Sequence, residues 1–150
     1  MKIFLFTMAL FVAIQANALD KCIDITGVYK FDEVTAMRFT QNSCIGLKIE
    51  FGQIESTGKI NWYKIPLRSL LNGSPICDTF GCVTGNVSEK MITLARDKAW
   101  AAYDRQHGDC SYNSENYSFS KEGVLIRKQN VYDCRDGYAG LIENTLTPIK

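Results

Sequence analysis

Apolar and polar side chains alternate along much of the chain. Tyr29, Phe31, Met37 and Phe39 share one parity, with Lys30, Asp32, Arg38 and Thr40 between them. Leu47, Ile49 and Phe51 continue the pattern around Lys48 and Glu50, and Ile60 and Trp62 alternate with Lys59 and Asn61. A period of two turns one face of an extended chain to a core and the other to water, so these stretches predict half-buried β-strands. Ser56-Thr57-Gly58 and Lys121-Glu122-Gly123 are turn sequences and predict hairpins. Short strands with turns every ~8–12 residues indicate an all-β fold, an antiparallel up-and-down barrel or a sandwich of about eight strands.

Two segments depart from this pattern. Pro66 to Pro75 (PLRSLLNGSP) is bounded by prolines and reads as a long connection, a short helical turn or a mouth loop. Ser88 to Arg105 has the Ala, Glu, Lys and Met content of a helix with Ser88 as its N-cap. Ile92-Leu94 and Trp100-Ala102 also alternate about a turn at Asp97-Lys98. Because the flanking chain is all β, two strands are the expectation there, with the helix as the alternative.

The N-terminus changes the picture of where this domain begins. Lys2 precedes an uncharged run from Ile3 to Ile14, and Ala16-Asn17-Ala18 has the small-x-small form of a cleavage site. Residues 1–18 are therefore expected to be a signal peptide, and 19–150 a single β-barrel domain. The run is too short to cross ~30 Å of hydrocarbon as a helix. No other segment reaches 18 apolar residues, so no transmembrane segment is expected in the mature chain. The whole chain carries 17 basic and 16 acidic side chains, and loss of Lys2 balances them. Such a balance supplies no field to draw in nucleic acid, which is excluded as a partner.

Six cysteines follow the leader: Cys22, Cys44, Cys77, Cys82, Cys110 and Cys134. An even number in an exported chain reads as disulfides. Zinc is disfavoured, because there is no Cys-x-x-Cys and only one histidine. Hairpin register suggests the pairing. With Lys121 to Gly123 as a three-residue loop, Ser120 faces Val124 and Cys110 falls opposite Cys134. With Asp32 to Val34 as a loop, Tyr29 faces Met37 and Cys22 falls opposite Cys44. Directly opposed residues are ~4.5–5.5 Å apart, within reach of a bridge. Cys77 and Cys82 flank the short loop Asp78 to Gly81. Cys22 is not expected to carry a lipid, since a lipobox would place a small residue directly before it and Lys21 stands there.

Gly27-Val28-Tyr29 resembles the Gly-x-Trp that opens the first strand of lipocalins. The wider layout resembles a set of small uncharacterised exported bacterial proteins, through Cys22, Gly27-Val28-Tyr29, Gln41-Asn42-Ser43-Cys44, Gly108-Asp109-Cys110 and Gly123-Val124-Leu125. The resemblance implies a lipocalin-like, disulfide-stapled barrel exported to the periplasm or the extracellular space. Tyr29 stands where lipocalins have Trp, and no ligand carries over.

Candidate chemistry is sparse. His107 lies between Asp104 and Asp109 and reads as an exposed loop residue rather than a catalytic one. Asp133, Arg135 and Asp136 do not follow a calcium-loop spacing. No nucleophile, phosphate-binding or dinucleotide motif is present, so no catalytic residue, metal or cofactor is expected. Were the barrel hollow, Tyr29, Phe31, Met37, Phe39, Phe51 and Trp62 would line its ligand space; a filled core is the plainer use of such residues. The expected function is that of a non-enzymatic binding protein for a small apolar ligand or an envelope component. An alternative is a protein-interaction module, a secreted inhibitor or surface adaptor, acting through the 66–81 loop with Phe80 at its tip. A hydrolase with an unrecognised carboxylate pair is a further alternative. Asn72, Asn86 and Asn116 each begin an Asn-x-Ser sequon.

Overall fold

The structure is a computed structural model that describes residues 21–64, 66–107, 111–133, 137 and 139–150. The expected signal peptide and the Cys110–Cys134 bridge lie outside the described residues. Eleven strands form one antiparallel sheet, with a single helix among the described residues. The strands are β1 (Gly27–Lys30), β2 (Thr35–Asn42), β3 (Gly46–Ile54), β4 (Ile60–Trp62), β5 (Leu67–Leu70) and β6 (Asn72–Cys77). They continue as β7 (Cys82–Val87), β8 (Ile92–Arg96), β9 (Ser111–Phe119), β10 (Leu125–Asp133) and β11 (Gly140–Pro148), with α1 (Lys98–His107) between β8 and β9.

The all-β expectation holds, and the strands form a meander that curls back on itself. The hydrogen-bonded order runs β4-β3-β2-β1-β11-β10-β9-β8-β7-β6, so the first strand pairs with the last. β6 ends the path on β7, and β5, off the path, pairs with β3 next to β4. Leu71 alone separates β5 from β6, so the covalent chain brings the β6 end of the path against the β3 side. The strand count is raised because the strand antiparallel to β3 is split into β4 and β5 around Pro66, which has no N–H to give to a ladder. At Leu71 the chain turns back and passes from β3 to β7. The proline-bounded segment is thus strand and not a loop.

The hairpins follow their turn chemistry. Phe31 N–H donates to Thr35 O across the Asp32 to Val34 loop, and Asp32 Oδ1 accepts from Val34 and Thr35 N–H. Tyr29 faces Met37 in the register expected of that loop. Gly58 (φ 82°) and Gly123 (φ 79°) supply the left-handed residue of the next two three-residue loops. The Ser88–Arg105 segment is one strand and one helix. Ile92 and Leu94 are buried in β8, but Asp97 caps a helix, its Oδ1 accepting from Ala99 and Trp100 N–H at 3.1 Å each. Ser88 instead caps the tight turn at Met91. The expectation of a second strand over Trp100-Ala102 is corrected on this ground.

The interior divides along the barrel axis. The end away from α1 is filled by apolar side chains. Tyr29, Phe39 and Tyr117 form an edge-to-face chain with centroids 5.6 and 5.1 Å apart. Ile25, Met37, Ile49, Ile92, Leu125 and Leu146 pack around them, each at 1% exposure or less. The N-terminal segment stoppers this end. Ile23 N–H donates to Ser88 O, Gln41 Nε2 donates to Ile23 O, and the Cys22–Cys44 disulfide fastens the segment to the β2–β3 turn. Tyr29 is held in its protonated form to higher pH than usual, by burial and then by the Asp24 charge.

Candidate functional site

At the α1 end the inner face turns polar. On β9 and β10, Glu115, Arg127 and Gln129 point inward on the same parity as Tyr117 and Leu125. Glu115 Oε2 accepts from Arg127 Nε at 2.8 Å and Nη2 at 2.7 Å, with the two side chains only 1% and 7% exposed. Arg127 also stands over the Phe31 ring, 5.5 Å from its centroid. A buried charge is tolerated only with a partner of this kind. Glu115 is the one fully buried carboxylate among the described residues.

Two amides beside this pair differ from it. Gln129 is 8% exposed and faces inward beside them. Asn144, opposite Arg127 across the β10–β11 ladder, buries an Oδ1 with no partner among the described residues. Native interiors pair nearly all such atoms with protein, water or ligand.

At this end α1 follows β8 and contacts β9. A recess of about 180 Å³ there is lined by Phe51, Pro66, Leu67, Asp78, Arg96 and Trp100. The β6–β7 turn positions the helix. Phe80 packs on Trp100 with centroids 5.4 Å apart, and Asp97 N–H donates to Cys82 O. The Cys77–Cys82 disulfide closes that turn as expected, and Asp78 Oδ1 accepts from Phe80 N–H inside it. Arg96 reaches back over the Trp100 ring at 4.8 Å. Backbone contacts from Trp100, Cys82 and Ala99 keep the Asp97 carboxyl below its ordinary range.

The sequence-expected lining residues separate into three groups. Phe31 and Phe51 are half-buried on the inner face near the α1 end. Tyr29, Met37 and Phe39 fill the closed half. Trp62 is on the outside: it lies opposite Gly52, whose parity in β3 is that of Glu50, and Arg38 stacks over its ring at 4.3 Å. The Ser56 to Gly58 loop sets that register, so the expectation that Trp62 joins the inner face is corrected. Phe80 is half-buried against the helix rather than presented at a loop tip. His107 ends α1, and its side chain lies outside the described residues. Arg127, Glu115, Gln129 and Asn144 carried no signal in sequence beyond polar residues on an inward parity, readable only once the register of β9 to β11 is known.

Two further grooves of about 280 Å³ each lie at the joint between β5 and β6. They share Arg68 and Ile76. No ladder joins these two strands.

No protein-family model and no curated protein matches the chain. A solved structure to which it is similar is the crystal structure of a mutant of the fluorescent protein UnaG. The sequences are 10% identical, the match covers 83% of this chain and 95% of that one, and the TM-score is 0.45.

Proposed function

We propose that the protein is a non-enzymatic binding protein whose small-molecule site is the α1 end of the barrel. The observation that carries this reading is the buried Asn144 Oδ1, without a partner among the described residues, on the inner wall that also carries Gln129 and the charge-satisfied Arg127–Glu115 pair. A rigid wall with a few unfilled polar atoms and aromatic neighbours is the usual make-up of a ligand site. The ligand is amphipathic rather than purely apolar, because the apolar half of the interior is already occupied by side chains. Its ring or chain rests on Phe51, Leu67 and Trp100, and its polar group meets the amides. Export to an oxidising compartment is part of the reading, supported by two formed disulfides. The test is native mass spectrometry of protein purified from its own source, alongside a Trp100→Phe variant followed by tryptophan emission. A bound small molecule whose release changes Trp100 emission supports the site, and a bound molecule that leaves Trp100 emission unchanged places the ligand elsewhere.

A second reading has an observation of its own. β5 and β6 diverge from Leu71 with unpaired edges and grooves along them, so an extended partner segment could add a strand there. It retains the 66–81 segment as an interaction element, through its edges rather than through Phe80. An Ile76→Lys variant that keeps its fold and its partner would refute it.

A further inference from the structure

The outer wall formed by β2, β3 and β5 carries more positive charge than it pairs. Arg38, Lys48, Glu50 and Arg68 project from it, on the parity opposite to the buried Phe39, Leu47, Ile49 and Ser69. Glu50 accepts from Arg38 at 2.7 Å and from Lys48 at 2.9 Å, so one carboxylate serves two cations. Arg68 has no ion pair among the described residues, and it stands directly opposite Lys48 across the β3–β5 ladder. Like charges in directly opposed positions repel and are destabilising.

Lys48 and Arg68 line one of the two grooves of about 280 Å³, together with Thr40, Asn42, Gly46 and Ile76. The nearest atom that a β-carbon at Gly46 would meet is Ser69 O, at 3.8 Å, so the space over this residue is open. Thr40 lies opposite Lys48 and Asn42 opposite Gly46 on the β2 side. Both are exposed, and neither side chain makes a hydrogen bond among the described residues. The groove thus offers two cationic heads, a hydroxyl and an amide as donors. The stems of Lys48 and Arg68, with Ile76, offer apolar surface beside them. The neighbouring groove, which shares Arg68 and Ile76, contains one carboxylate, Asp78. Its Oδ1 accepts from Phe80 and Gly81 N–H, and no ion pair ties it to Arg68.

We infer that the groove over Gly46 is a binding site for a small organic anion, a monocarboxylate on a short apolar body. The carboxylate lies between Lys48 and Arg68, where the planar Arg68 guanidinium presents paired N–H donors. The apolar body lies over Gly46 against Ile76. A carboxylate there relieves the repulsion between the two cations. An ammonium of the same shape adds a third positive charge, and an alcohol leaves the repulsion in place. The site is separate from the barrel interior and needs no added strand.

Hexanoate, hexan-1-ol and hexylammonium test it, each titrated into the intact mature protein. In a proton–nitrogen correlation spectrum the backbone amides of Gly46 and Arg68 report the groove, and the Trp100 indole N–H reports the recess beside α1. Hexanoate is expected to saturate the Gly46 and Arg68 shifts and to bind about fivefold or more tightly than the other two. Arg68→Gln should weaken hexanoate about fivefold, the upper range for one exposed ion pair. Raising the ionic strength from about 0.01 M to about 1 M should weaken it as well. Gly46→Val fills the open space and leaves both cations in place, and should abolish binding with the remaining resonances unmoved. If hexan-1-ol or hexylammonium binds as tightly as hexanoate, or if Arg68→Gln leaves its affinity unchanged, anion recognition is refuted. If hexanoate shifts the Trp100 indole and still binds the Gly46→Val variant, it occupies the interior: the groove inference falls and the interior site gains support. If hexanoate moves no resonance, the groove inference falls and the interior site is untouched.

Discussion

The buried pair Glu115–Arg127 sets up a quantitative test of how the polar half of the barrel is held. Both partners sit in the interior, two directed hydrogen bonds at 2.7 and 2.8 Å join them, and Leu94 lies opposite Glu115 on β8. Changing Arg127→Met strands a carboxylate in that setting, and Glu115→Leu strands a guanidinium. Each single change is expected to cost about 3–5 kcal/mol of folding stability. The double variant replaces both charges by apolar groups of similar reach next to Leu94. It is expected to cost about 3 kcal/mol less than the two singles added together, because no ion is left unpaired. Urea denaturation at neutral pH measures all four proteins, with unchanged m-values as the check that the same fold is being unfolded. The outer pair Lys128–Glu143, half exposed on both sides, is the control and is expected to be worth about 0–1 kcal/mol. If either interior single costs as little as that control, or if the double costs the full sum, the pair is solvated and the description of a desolvated polar interior is wrong.

Further expectations concern the frame around the site. Cys22→Ser removes a bridge with a sequence separation of 22, and its chain-entropy contribution of roughly 3 kcal/mol should disappear from the denaturation curve. Glu50 on the outer face is lowered from 4.5 to about 2, first by its hydrogen bond from Arg38 and also by Lys48. A depressed carboxyl contributes stability above its unfolded value and loses it as pH falls from about 4.5 towards about 2. Its partners are more than a third exposed, so solvent reduces the effect to about 1 kcal/mol, and Glu50→Gln should flatten that limb of a stability–pH curve. Gly85→Ala places a methyl group against Leu70 O and Ser69 Oγ, which should cost about 1–3 kcal/mol by prying β5 from β7, measured by thermal unfolding. Intact mass of secreted protein should show residues 1–18 gone and six thiols oxidised, and two free thiols would dismiss the Cys110–Cys134 bridge.

The strands and their hairpins were legible because period-two alternation and three-residue turn sequences are local signals. The Asp32 to Val34 loop sufficed to place Tyr29 opposite Met37 and Cys22 near Cys44. Projected across β9 and β10, the same reasoning holds from Leu125–Phe119 to Asn130–Ser114, slips at Val131 and recovers at Asp133–Ser111. Two features escaped because they depend on distant partners. Trp62 reads as inward from its own alternation and is outward because Gly52 sets the parity. Helix α1 competes with a strand of nearly equal local preference, and the Asp97 cap decides between them. The polar interior was hardest to foresee: Glu115, Arg127, Gln129 and Asn144 look like surface residues until three strands are aligned.

Leu71 gives the barrel a mechanical asymmetry. Elsewhere neighbouring strands are laced by a ladder, and widening the ring there means breaking several hydrogen bonds at once. At the β5–β6 joint no ladder closes the ring, which is held there by the Leu71 link, the Leu71 N–H donated to Ile45 O and the close seat of Gly85 on Leu70 O. The circumference therefore has a single seam with fewer backbone hydrogen bonds to break than any ladder around it.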